Sequence, residues 1–63
     1  VKIMVSGLRL RSEATTKSPE IRKLRKGNTY SVNNVVLDPD GNIWLQIAEG
    51  YAAAIYKGKK YIV

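Results

Sequence analysis

The sequence predicts an all-β domain, and three observations lead there. Leu8-Arg9-Leu10-Arg11 alternates strictly, which puts both leucines on one face of a strand and both arginines on the other. Residues 29–37 (Thr-Tyr-Ser-Val-Asn-Asn-Val-Val-Leu) are dense in β-branched and aromatic side chains. Turn signals recur at short intervals: Ser6-Gly7, Lys26-Gly27-Asn28, Asp38-Pro39-Asp40-Gly41-Asn42, Glu49-Gly50 and Lys57-Gly58-Lys59. Five or six short strands punctuated in this way make a small barrel or sandwich.

Taken in order, residues 1–5 read as a short strand, and Ser6-Gly7 as a kink before the alternating strand 8–11. Residues 12–20 are polar, lack hydrophobic periodicity and carry Pro19 near their end, so they form a loop. Ser18-Pro19-Glu20 is also a helix start signal. A helix from there to Lys26-Gly27 would be barely two turns long, so Ile21 and Leu24 are assigned to a strand. Strand 29–37 has Tyr30 and Val32 on one face, Thr29 and Ser31 in solvent, and a bulge at Asn33-Asn34. The Asp38–Asn42 turn makes a hairpin with strand 43–48, in which Ile43, Leu45 and Ile47 share one face and Trp44 and Gln46 the other. Residues 51–56 have alanine-rich helix propensity, yet their short length and aromatic ends argue for a strand. A last tight turn precedes a closing strand over 60–63.

Sixty-three residues make a single domain, near the lower limit for a chain folding without staples. With no cysteine and no histidine, disulfides are excluded and no conventional zinc site is expected. Most apolar side chains are needed for the core, which leaves few to build a deep substrate pocket and favours surface binding over catalysis. The net charge of +6 suits polyanions such as nucleic acid, anionic wall polymers or lipid head groups, and equally suits simple solubility. No transmembrane run and no secretory signal is visible. Because the chain begins at Val1, it is expected to be a piece of a longer protein.

Few residues carry recognisable chemistry. Trp44 is the only tryptophan, and alternation turns it away from Leu45 and Ile47. It is read either as an exposed binding platform or as a second small core lying flat on the barrel. Tyr51 and Tyr56 flank the alanines and offer a flat face and a hydroxyl to a peptide or sugar, though half-core positions suit tyrosine as well. Arg9 and Arg11 either clamp a carboxylate or phosphate or pair with Glu13 or Glu20. Glu13, Thr15, Thr16 and Lys17 supply adaptable hydrogen-bonding groups on the long loop. Asp38 and Asp40 sit in a turn and are turn formers, not a general acid/base pair. No Ser/His, Cys/His or Gly-rich phosphate motif is present, so no enzyme activity and no cofactor is expected.

In these residues the chain resembles the bacterial Src-homology-3-type domains appended to bacterial and phage cell-wall hydrolases. The opening family motif reads here as Leu8-Arg9-Leu10-Arg11-Ser12-Glu13-Ala14-Thr15, followed by a long loop and an apolar-basic stretch ending in Lys26-Gly27. Thr29-Tyr30-Ser31-Val32 and the Trp44-Leu45-Gln46-Ile47 strand with Gly50-Tyr51 complete the pattern. Glu13-Ala14 replaces the usual Gly-Pro, and Ala52, Ala53 and Ala54 replace a Gly-Trp-Val. The segment 33–40 and the tail 57–63 are longer than the minimal pattern.

The resemblance implies a partly open barrel of five to seven strands without catalytic activity. It further implies binding of a peptidoglycan stem peptide or cross-bridge in a shallow groove near the long loop, with anionic wall polymers as a further partner. The expected setting is an extracellular or wall-associated protein, with this domain monomeric and targeting an attached lytic or envelope module. Trp44, Tyr51, Tyr56, Arg11, Glu13 and Thr15 are the candidate ligand-binding residues. A nucleic-acid-binding barrel and a protein- or peptide-docking module are the competing expectations.

Overall fold

In the computed structural model, which describes residues 1–63, the chain is all-β. The strands are β1 (Leu8–Arg11), β2 (Glu20–Leu24), β3 (Val32–Leu37), β4 (Ile43–Ile47), β5 (Gly50–Tyr56) and β6 (Lys59–Lys60). They form one antiparallel sheet in the order β2-β1-β5-β4-β3, with β6 paired to β5 and no closure between β2 and β3. The result is a small open barrel, and none of its segments is a helix long and apolar enough to cross a membrane.

Alternation decides which side chains meet inside. Leu10, Leu24, Leu45, Ile47, Ala52 and Ala54 join Ile3 and Ile62 in one buried cluster. Leu8, Tyr30, Ile43 and Tyr61 pack against its margin. The alanines in β5 are part of the packing: Ala52 and Ala54 both belong to the buried cluster. Ile43 pairs with Ile55 and Trp44 with Ala53, so Ala54 is an extra residue on β5 and bends it. The bulge expected at Asn33-Asn34 is present, with the β3 register shifting between Val32 and Asn34.

The first and last expected strands are reduced to bridges. Lys2 pairs only with Thr29, and Ile3 only with Ile62. The ends still hold one another: Lys2 N–H donates to the Val63 carbonyl at 2.7 Å and Met4 N–H to the Tyr61 carbonyl at 2.9 Å. On the other side, Ile3 N–H donates to Asn28 at 2.9 Å. The terminal segment thus spans two neighbours with single contacts, which satisfies its backbone without extending a ladder. For the same reason the strand expected over 29–37 begins only at Val32, and β6 stops at Lys60.

Close approach of β1 and β5 depends on Gly50. A Cβ at that position would overlap the Arg11 carbonyl oxygen and stand 2.8 Å from the Ile21 side chain. Across the same region, Arg22 grips Glu49 with two hydrogen bonds of 3.0 and 3.1 Å, tying β2 to the β4–β5 turn.

Candidate functional site

The outer face of the sheet carries the residues that the core does not use. Arg11 pairs with Tyr51 across β1 and β5, Tyr51 with Gln46, and Trp44 with Ala53 across β4 and β5. Directly paired residues share a face, so these side chains rise from the same surface. A large indole opposite a methyl group leaves a hollow, and a cavity of about 440 Å³ lies there. Its walls come from residues 5–9 and Arg11, from Trp44, Ala53 and Tyr56, and from Lys23, Lys59, Tyr61 and Thr16. A smaller hollow of about 240 Å³ adjoins it between the long loop and the Asp38–Asn42 turn, sharing Thr16, Trp44 and Tyr56.

Trp44 is only 2% exposed and stands outside the main core cluster. It therefore forms a second, smaller core on the outer face and offers no open ring to a ligand. Its ring meets Tyr56 edge-on, with centroids 6.3 Å apart and planes at 79°. Its Nε1–H donates to Asp38 Oδ2 at 3.0 Å. The same carboxylate accepts from the backbone N–H groups of Asp40 and Asn42, both at 2.9 Å, and from Asn42 Nδ2 at 3.0 Å. Asn42 Oδ1 in turn accepts from Lys57 N–H at 2.8 Å, which links this hairpin to the β5–β6 turn. Partial desolvation pushes the Asp38 carboxyl upward, but the hydrogen bonds from Trp44 and Asn42, with that from Asp40, outweigh it and hold it below its ordinary value. Asp38 is a turn former, as its sequence context implies, and it also anchors the indole.

The long loop is organised from within. Ser18 is buried, and its Oγ lies 3.0 Å from the Glu13 carbonyl and 2.8 Å from that of Thr15 while accepting from Glu13 N–H at 3.3 Å. Thr15 Oγ1 accepts from Lys17 N–H at 3.2 Å. Arg11 reaches into this loop and donates from Nη1 to the Ser18 carbonyl at 2.9 Å. Of the two arginines offered as ion-pair formers, Arg9 pairs with Glu20 at 3.2 Å, whereas Arg11 forms no ion pair.

Of the candidates, the structure brings together four. Trp44 and Tyr56 line both hollows, Arg11 lines the larger and Thr15 the smaller. Tyr51 is half-buried opposite Arg11 but borders neither hollow, and Glu13 is exposed beside Ser18, also outside both. Sequence reasoning passed over Ser18, Lys59 and Tyr61. A serine before proline in a polar loop is a fair signal for an internal hydrogen-bond hub. Nothing local marks Lys59 or Tyr61, which reach the groove through the pairing of the chain's last turn with β5. Comparison of the chain with protein-family models, curated proteins and solved structures yields no match.

Proposed function

We propose that this domain is a non-catalytic cell-wall-binding module whose outer groove takes an extended peptide of peptidoglycan, a stem peptide or cross-bridge. The observation that carries the reading is the groove itself. It is open and about 440 Å³, floored by Ala53 and Trp44, walled by Tyr56 and Tyr61, and rimmed by Arg9, Arg11, Lys23 and Lys59. It also runs up to Thr16 on the long loop, where the resemblance to bacterial Src-homology-3-type domains places the ligand. A shallow trough with aromatic walls and a cationic rim suits a short peptide bearing carboxylates. Weak binding of this kind acts through avidity, raising the local concentration of an attached catalytic or envelope module at the wall. The remaining basic residues add attraction to anionic wall polymers.

The test is sedimentation with purified peptidoglycan. The wild-type domain and Tyr51→Ala should pellet with the wall at moderate salt, while Tyr56→Ala should remain in the supernatant with its circular dichroism unchanged. Equal retention of all three would remove the groove from the reading, and no retention of the wild type would remove the wall. A second reading, nucleic-acid binding, draws on the four basic and three aromatic residues among the groove's lining. Retention on single-stranded DNA that collapses with salt would favour it.

A further inference from the structure

The eleven basic residues are not equivalent. Arg9 and Lys23 share Glu20, at 3.2 and 3.8 Å, and Arg22 is engaged by Glu49. The others apart from Arg11 are exposed to water, which stabilises a charge without further help. Arg11 alone is half-buried, and it has no carboxylate partner. With no carboxylate beside it, its guanidinium is free to take an anionic partner. Of its five N–H donors, the Ser18 carbonyl engages one nitrogen at 2.9 Å. The same contact fixes one end of the side chain, and Arg11 lines the larger groove.

We infer that Arg11 is an anion clamp, and that the group it takes is the free C-terminal carboxylate of an extended peptide lying in the groove. This rests on the groove being a peptide site, as proposed above, and adds which chemical group is recognised and by which residue. The planar fork of arginine matches a carboxylate bidentately. Charge counting separates this ligand from a nucleic-acid backbone. With Glu20 occupying Arg9 and Lys23, the rim retains Arg11 and Lys59 as its cations without a carboxylate partner, Lys59 lying 5.7 Å from the Tyr61 ring centroid. That suits a single anionic terminus, whereas a phosphate backbone is held by several free cations in a row. The lining agrees: Ala53 is its smallest apolar side chain, which leaves room for small side chains next to the terminus, such as alanine.

The experiment is a titration followed by the emission of Trp44, the only tryptophan. The probes are N-acetyl-lysyl-D-alanyl-D-alanine with a free carboxylate and the same peptide as its C-terminal amide. The wild type should bind the free acid at least about tenfold more tightly than the amide, because charge-assisted bidentate bonds are lost with the carboxylate. Arg11→Gln should abolish that preference, and Arg11→Lys, which keeps the charge without the fork, should retain only part of it. Thermal unfolding is measured on both variants; if Arg11→Gln is unfolded, Arg11→Lys decides. Equal affinity for acid and amide, or an undiminished preference in a folded Arg11 variant, overturns the clamp and leaves wall binding standing. Failure of the free-acid peptide to bind a protein that still pellets with the wall likewise overturns it. Failure to bind both peptide and wall overturns the parent reading with it.

Discussion

Trp44 and Asp38, six residues apart across a tight turn, are joined by an Nε1–H···Oδ2 hydrogen bond of 3.0 Å. The bond lets the indole lie almost wholly covered on the outer face of the sheet with its one polar atom satisfied. No buried side-chain nitrogen or oxygen in the chain lacks a partner. One carboxylate therefore serves both the indole in the groove lining and the β3–β4 turn, through separate hydrogen bonds.

Trp44→Phe removes the donor and part of the ring while keeping an aromatic side chain. The domain should lose about 2 kcal/mol, from the vacated volume and the hydrogen bond together. Urea unfolding measures this, and a loss below about 0.5 kcal/mol would mean that the outer-face core contributes little.

Two carboxylates make the fold sensitive to acid. The hydrogen-bonded Arg22 guanidinium holds Glu49 below its ordinary value of 4.5, and the turn network holds Asp38 below 3.8. Because these groups bind protons less readily in the folded state, the unfolded chain takes up protons first as pH falls. Their stabilisation is complete above those ordinary values and is lost as pH drops through the depressed folded values. Thermal midpoints should fall below about pH 4, and Asp38→Asn should flatten that limb. An unchanged limb in Asp38→Asn would assign acid sensitivity elsewhere.

Gly50→Ala places a methyl group against the Arg11 carbonyl oxygen and 2.8 Å from Ile21. The backbone of β1 cannot yield as a side-chain tip can, so the cost should reach about 3 kcal/mol. That is a large share of the stability of a domain this small. Circular dichroism should show a mostly unfolded variant at 37 °C or a midpoint far below that of the wild type.

Ala48 opens the β4–β5 turn at φ 51°, in the left-handed region, with its side chain exposed. Ala48→Gly removes the Cβ clash at no packing cost, and the gain exceeds the added flexibility of the unfolded chain. A rise of about 0.5 kcal/mol is expected in urea unfolding. A fall would show that chain entropy outweighs the strain.

Much of the architecture was legible because its cause is local. The Leu8–Arg11 alternation, the Asp38–Asn42 turn and the Ile43, Leu45 and Ile47 face all appear where their patterns place them. The site was legible only in part. Trp44 was correctly turned from the main core, yet its burial depends on Asp38 and Tyr56, which the pattern of one strand does not contain. Tyr51 and Tyr56 look alike in sequence, both flanking the alanines. The extra residue at Ala54 and the register of β5 put only Tyr56 at the groove.

The sequence by itself determined the fold class, the turns and which face of each strand is apolar, because period-two alternation and turn chemistry act over a few residues. Only the tertiary structure decided which of the two β1 arginines is left without a carboxylate. Arg9 and Arg11 are two residues apart on the same face of one strand. Pairing with β2 brings Glu20 within 3.2 Å of Arg9, while the loop fold turns Arg11 to the Ser18 carbonyl. Partners distant in sequence set the electrostatic fate of each charge, and no local pattern carries that information.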